Sequence, residues 1–137
     1  MQASSSDLRS KLSKAKGLGA AHHGVSHWWL QRVTAVAMLP LSLWFFYELL
    51  MMMRSPDVAV VAAWFASLAH AVMLILLLVA TFYHAKLGMQ VVIEDYVKGP
   101  VAKYSLLLAN VFVCYAFATI CILAVLRLHF LDISVGV

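Results

Sequence analysis

Apolar residues along this chain are gathered into three long stretches that short polar segments separate. The stretches 34–53, 58–83 and 104–126 contain one formal charge between them, the carboxylate of Glu48. A helix needs about 20 residues, at a rise of about 1.5 Å each, to cross about 30 Å of hydrocarbon. Each stretch is long enough to do so, and the pattern therefore predicts an all-α membrane protein with three transmembrane helices.

These helices account for nearly all of the chain beyond a polar, basic N-terminal arm. We predict an arm at 1–26 and a transmembrane anchor domain at 27–137, with spans at about 28–53, 58–89 and 102–128. The arm favours equally a short surface helix on anionic headgroups and a disordered basic tail. It has no apolar segment typical of a secretory signal peptide, so the first span is expected to act as its own insertion signal. Three helices enclose little interior, and a face of each is expected to contact a partner subunit or a cofactor.

The composition supports this membrane assignment, and the distribution of charge predicts an orientation. The chain is 64% hydrophobic and 12% charged, with a mean hydropathy of +0.92, far outside the range of soluble domains. Its net charge of +4 comes from basic residues at the membrane edges, which does not indicate nucleic-acid binding. The N-terminal flank and the second loop hold most of them: Arg9, Lys11, Lys14, Lys16, Arg32, Lys86, Lys98 and Lys103, against Arg54 and Arg127 opposite. This asymmetry predicts a cytoplasmic N-terminus and a periplasmic C-terminus.

The cysteines and the N-terminal histidines receive no chemical role. Cys114 and Cys121 are seven residues apart in the third stretch, about 10 Å along one helix and beyond disulfide reach. They are expected to be small packing residues. His22, His23 and His27 have no cysteine or carboxylate beside them, so we assign no metal to them.

The polar segment that follows the second stretch concentrates the candidate chemistry. An imidazole is costly in hydrocarbon and usually persists there because it is ligated or hydrogen-bonded, which makes His84 a candidate metal ligand. Asp95 and Tyr96 place a carboxylate beside a phenol near the membrane surface, although an interfacial anchor at a helix end is the favoured interpretation of the pair from these residues alone. The segment therefore suggests redox chemistry at a bilayer boundary.

Helical spacing relates these residues to one another. If the helix continues to Asp95, one stripe contains His70, Leu77, Thr81, His84, Gly88 and Asp95. His70 and His84 are about 21 Å apart along the axis, so one haem cannot use both. A polar residue that is bonded to a backbone carbonyl, or that lies near the outer interface, is the interpretation of His70 favoured over ligation. Gly88 permits close approach of a flat macrocycle or another backbone.

Arg32 lies at the start of the first span and has two possible roles. A snorkelling arginine that sets topology would justify its presence. Its guanidinium could alternatively bind a carboxylate through two parallel hydrogen bonds. Pro40, later in the same stretch, removes a backbone hydrogen bond and is expected to bend the helix.

Two segments resemble a known family. Residues 84–98, HAKLGMQVVIEDYVK, resemble the signature of the hydrophobic membrane anchor (D) subunit of succinate dehydrogenase, respiratory complex II. Residues 27–41, HWWLQRVTAVAMLPL, resemble that family's entry to its first helix, and the resemblance covers about residues 17–126. His70 and the His22-His23 pair are not part of the pattern and take no role from it.

The resemblance implies cofactors and site residues. His84 would be an axial ligand of haem b, opposite a histidine of a second anchor (cytochrome b) subunit, with Gly88 giving the macrocycle room. Arg32 would lie near the haem propionates. Tyr96 would donate a hydrogen bond to ubiquinone, and Asp95 would tune the tyrosine or relay protons.

The resemblance also implies partners and a location. The complex would lie in the bacterial inner membrane and would link the tricarboxylic acid cycle to electron transport. Flavoprotein and iron–sulfur subunits would carry out succinate oxidation, because this chain has no flavin or nicotinamide fingerprint and no cysteine set for iron–sulfur clusters. Three alternatives stay open: a quinol:fumarate reductase anchor, a small transporter or proton channel that uses Glu48 and His70, and an anchor without haem.

Overall fold

The computed structural model describes residues 21–54 and 57–135, and it describes side chains within 25–54 and 57–130. This part of the chain is entirely helical. It contains α1 (Ala21–Arg54), α2 (Val58–Ala66), α3 (Leu68–Tyr96) and α4 (Pro100–Val135). Three segments are long and apolar enough to cross a membrane: Val25–Arg54, Leu68–Tyr96 and Pro100–Phe130. The all-α prediction with three spans is confirmed, whereas the proposed surface helix of the arm and the side chains of His22 and His23 lie outside the described residues.

The helices form a row with α3 at its centre. Helix α3 packs against α1 on one side and α4 on the other, while α2 packs mainly against α4. The row encloses very little interior, as expected for so few helices. Among the described residues the buried hydrophobic side chains are Trp64, Ala71, Ala80, Leu87, Ile93 and Val125.

The second apolar stretch differs from the predicted span at 58–89, because the structure divides it at Ser67. Helix α2 begins after Asp57, whose carboxylate accepts a hydrogen bond of 3.0 Å from the amide of Ala59. Ser67 has an extended backbone (φ −68°, ψ 118°), and its amide bonds back to the carbonyl of Trp64 at 3.3 Å. The long membrane helix therefore begins at Leu68 and continues to Tyr96.

Two histidines bond to the last carbonyl groups of α2, and that of Trp64 also accepts from the amide of Ser67. His70 Nδ1 lies 3.1 Å from the carbonyl oxygen of Trp64, and His129 Nδ1 lies 2.9 Å from that of Phe65. The last carbonyls of a helix have no partner within it, and an unpaired one is costly in an apolar environment. Both rings therefore donate, and His129, which is only 7% exposed, fixes α4 against the end of α2. The interpretation of His70 as a residue bonded to a backbone carbonyl agrees with this geometry.

An aromatic and carboxylate cluster joins α1, α2 and α3 beside the break. The indole nitrogen of Trp64 donates to Glu48 Oε2 at 2.9 Å, and the Trp64 ring stacks on His70 with centroids 4.8 Å apart. The ring of Trp44 also stacks on the ring of Trp64, with centroids 5.9 Å apart. A single indole thus ties a carboxylate of α1 to a ring of α3.

Replacing this indole should loosen the junction of the three helices. We expect Trp64→Phe to lower the free energy of unfolding by about 1–3 kcal/mol, because the ring stacking persists while Glu48 loses its donor. Thermal unfolding of the purified complex measures the change. Trp29→Phe is the matched control, since Trp29 is 60% exposed. Equal melting temperatures for the two variants would contradict the assigned role of the indole.

Candidate functional site

A polar contact joins α1 to α3 at His84. The Nδ1 atom of His84 lies 3.0 Å from the hydroxyl oxygen of Thr34. The same hydroxyl lies 2.9 Å from the carbonyl oxygen of Leu30 and 3.0 Å from that of Gln31. A hydroxyl has one hydrogen to donate, and here a carbonyl of its own helix is in place to accept it.

This arrangement specifies which ring nitrogen of His84 is free. Because the Thr34 hydrogen is directed at a carbonyl, its oxygen is left to accept from Nδ1–H of His84. In a neutral imidazole the other nitrogen, Nε2, then carries a lone pair. Metal-bound histidines commonly have this pattern, with one ring nitrogen donating to a protein oxygen while the other faces the metal. The arrangement of the half-buried ring is therefore compatible with the tautomer that leaves Nε2 free.

Gly88 lies one turn beyond His84 on the side that faces α1. A Cβ atom placed on Gly88 would lie 3.7 Å from Nε2 of Gln31, which is ordinary van der Waals contact. Within the described residues an alanine would therefore fit at this position. No backbone among the described residues makes the close approach that was expected at Gly88.

His27 continues the same face of α1, and the sequence analysis assigned it no role. His27, Gln31 and Thr34 follow at intervals of four and three residues, which places them on one helix face. The Nε2 atom of His27 is buried and has no hydrogen-bond partner among the described residues. The spacing to Thr34 was the available signal, but it gains meaning only once Thr34 is known to contact His84.

Arg32 lies on a neighbouring face of α1 and is exposed. Its guanidinium carbon lies 3.7 Å from the centroid of the Trp28 ring, a cation–π contact one helical turn apart. Within 25–54 and 57–130 the structure gives this guanidinium no carboxylate or carbonyl partner, so its hydrogen-bond donors remain available to an anion. Trp28 thus orients Arg32 without neutralising it.

Asp95 and Tyr96 lie at the last turn of α3, so the condition that the helix reaches Asp95 is met. Asp95 lines an open cleft of about 670 Å³ between the end of α3 and the start of α4, together with Lys98, Lys103 and Tyr104. Lys103 Nζ donates to the carbonyl of Glu94 at 2.7 Å and holds one wall of this cleft. Tyr96 is 81% exposed and is not part of the lining.

The structure therefore groups the candidate residues by depth. His84, Gly88 and the α1 residues opposite them form one site at the α1–α3 contact, which we call the His84 site. Asp95 and Tyr96 lie about 18 Å further along α3 at most, near its end. His70 belongs to neither group, because its ring is held against Trp64.

Comparison with known proteins assigns the chain to a family of membrane subunits. Residues 6–130 match the family described as succinate dehydrogenase/fumarate reductase transmembrane subunit. The chain is 38% identical over 103 residues to the succinate dehydrogenase hydrophobic membrane anchor subunit of Rickettsia bellii (strain RML369-C), which covers 75% of this chain and 82% of the relative. The subunit of the same name from Rickettsia conorii (strain ATCC VR-613 / Malish 7) is 38% identical over 92 residues, 66% of this chain and 72% of the relative. No solved structure matches the chain significantly.

Removing the Thr34 hydroxyl should weaken the α1–α3 contact without changing its shape. We expect Thr34→Val to lower the free energy of unfolding by about 1 kcal/mol, because Nδ1 of His84 loses its acceptor. Thr119→Val is the matched control, since the Thr119 hydroxyl bonds only to the Tyr115 carbonyl of its own helix, at 2.8 Å. Thermal unfolding of the purified complex compares the two. If Thr119→Val cost as much as Thr34→Val, the cross-helix bond would contribute nothing of its own.

Proposed function

The chain belongs to the succinate dehydrogenase/fumarate reductase transmembrane subunit family, and we propose that it anchors a bacterial succinate dehydrogenase complex and serves its transfer of electrons to ubiquinone. The observation that carries the cofactor part of this proposal is the His84–Thr34 hydrogen bond. A second anchor subunit, an iron–sulfur subunit and a flavoprotein subunit would complete the complex. The exposed apolar faces along the row of helices suit packing against such partners.

The residues of the His84 site fit haem b. His84 would hold the haem iron through Nε2, and Thr34 would orient the imidazole through Nδ1. Gly88 has no side chain to obstruct a flat ring on the face where Gln31 is its nearest neighbour, and the free guanidinium of Arg32 suits a propionate. The buried, unpartnered Nε2 of His27 lies on the same face of α1 and is available to a further polar atom of the bound group. When bound, haem b would accept and release single electrons.

Asp95 and Tyr96 would act on ubiquinone at the end of α3. Reduction of a quinone to a quinol consumes two electrons and two protons, so the site needs a donor to the developing oxyanion and access to water. The Tyr96 hydroxyl would donate to a quinone carbonyl, and its high exposure leaves it free to meet a quinone bound partly by another subunit. Asp95, beside the water-accessible cleft, would orient the tyrosine or relay protons.

The charge distribution sets the proposed orientation. The N-terminus and the turn between α3 and α4 would face the cytoplasm, and the C-terminus would face the periplasm of a bacterial inner membrane. The Asp95 cleft, with Lys98 and Lys103, would then lie on the cytoplasmic side, where water supplies protons for quinol formation.

Two other functions are less well supported. The family also contains fumarate reductase subunits, but both relatives described above are named for succinate dehydrogenase, which favours the succinate-oxidising direction. For a proton channel, Glu48 Oε1 and His70 Nε2 lie 4.0 Å apart. Both side chains are engaged in holding Trp64 and the end of α2, so their geometry fits a structural junction better than a relay.

Haem content tests the ligand role of His84. We expect His84→Leu to remove or strongly reduce the reduced b-type absorbance bands of the purified complex, because no other described side chain replaces Nε2 at this site. His70→Leu, the control on the same helix, should keep its haem. Loss of haem from His70→Leu alone would transfer the ligand assignment to His70, and absence of b-type bands from the wild type would leave a structural anchor without haem.

Quinone reduction tests the role of Tyr96. We expect Tyr96→Phe to lower succinate:ubiquinone reductase activity at least about ten-fold, because the quinone loses its donor. Succinate oxidation with an artificial dye acceptor should persist. Tyr47→Phe is the control, since Tyr47 is 57% exposed and lies near the C-terminal end of α1, away from Tyr96. Wild-type quinone kinetics in Tyr96→Phe would refute the assignment.

A further inference from the structure

A second cavity lies between α3 and α4, away from the α1-facing His84 site. It has a volume of about 170 Å³ and is open on one side. Its lining comes from both helices: Val79, Phe82, Tyr83, Lys86, Cys114, Tyr115, Ala118, Thr119 and Ile122. We call this cavity the Lys86 groove. All but a few of its wall atoms are apolar, and both of its helices are candidate membrane spans.

Leaving aside the hydroxyls of Tyr83 and Tyr115, the polar side-chain groups along the groove are bonded within the protein, with one exception. The Thr119 hydroxyl donates to the Tyr115 carbonyl, and Cys114 Sγ donates to Asn110 Oδ1 at 3.5 Å. Asn110 Nδ2 in turn donates to the backbone carbonyl of Lys86 at 3.0 Å. The exception is the ammonium group of Lys86. Its described contacts are the faces of two rings, with Nζ 4.7 Å from the Tyr83 centroid and 5.5 Å from the Tyr115 centroid.

The cation lies at one end of the groove and the apolar walls extend away from it. Lys86 and Tyr115 mark the end nearer the C-terminus of α3, and Val79 and Ile122 mark the other end. Seven residues separate the ends on each helix, which corresponds to about 10 Å. A molecule that fills this space needs an apolar chain of that length joined to an anionic group.

We propose that the Lys86 groove binds an anionic phospholipid, with one acyl chain between α3 and α4 and the headgroup phosphate on Lys86. An ammonium at the boundary of the hydrocarbon is stabilised by an anion, and lysines at this depth extend toward the headgroups. The rings of Tyr83 and Tyr115 direct Nζ to the mouth of the groove while leaving its three hydrogens to donate. An uncharged quinone tail would fill the apolar part but would leave the ammonium without a partner. The charge therefore favours an anionic lipid.

The experiment measures lipids that stay on the intact complex. The complex is reconstituted in nanodiscs of phosphatidylcholine with a minor fraction of phosphatidylglycerol, and native mass spectrometry then counts the retained lipids. We expect the wild type to retain phosphatidylglycerol above its bulk fraction, and Lys86→Gln to reduce that enrichment about five-fold. Lys98→Gln is the matched control, because it removes the same charge at an exposed position outside the groove.

A second variant separates the groove from a general surface charge. Ala118→Leu fills the apolar wall without altering any charge, and it should reduce retention while Lys86 is intact. A phosphatidylglycerol with a photoactivatable acyl chain should label the peptide that contains Ala118 and Thr119 in the wild type. Unenriched phosphatidylglycerol in the wild type, equal losses in Lys86→Gln and Lys98→Gln, or label confined to other segments would each overturn the proposal. Crosslinking of the groove to a partner subunit in place of lipid would also overturn it.

Discussion

The hydrogen bond between Thr34 and His84 fixes the packing of α1 on α3 and, at the same time, the direction of a free ring nitrogen. Thr34 can accept from the imidazole because its single hydrogen is directed at a carbonyl of its own helix. Valine at this position would have the same shape, but it would leave both ring nitrogens without a defined proton. In the proposed site, Thr34 would thus orient His84 without contacting the cofactor itself.

The row of helices explains why this site has an open side. Helix α3 is covered by α1 and α4 on opposite sides, and no further described helix closes the arrangement. In hydrocarbon the exposed apolar side chains cost nothing, so no hydrophobic force closes the row by itself. Hydrogen bonds between polar groups therefore contribute much to fixing how the helices of the row pack. Near the ends of α2 these bonds involve Glu48, His70 and His129, and in the middle of α3 they involve His84.

The sequence was sufficient to predict the features that depend on the order of residues along the chain and not on contacts between helices. Span number follows from the length of apolar stretches. The continuation of α3 to Asp95 was only a condition in the sequence analysis, which ended the second span at about residue 89, and the structure meets that condition. The break at Ser67 was not predicted, because residues 58–83 are uncharged, mostly apolar and contain no proline or glycine. His129 and Thr34 were missed for a different reason. Their partners are 64 and 50 residues away, so only the register between helices shows what they bond.

The contrast between His70 and His84 shows that the partners supplied by neighbouring helices determine which ring nitrogens of a histidine are engaged. Both lie on α3 and both can donate from Nδ1, but His70 donates to a carbonyl at the end of α2 and stacks on Trp64. Its second nitrogen faces Glu48, 4.0 Å away. His84 contacts a hydroxyl through Nδ1, and among the described residues its second nitrogen has no such partner. On the proposed function, a histidine of the second anchor subunit would help to hold the haem that His84 would bind. Haem binding and association with the second anchor would then be one coupled equilibrium, because the cofactor joins one subunit to the other.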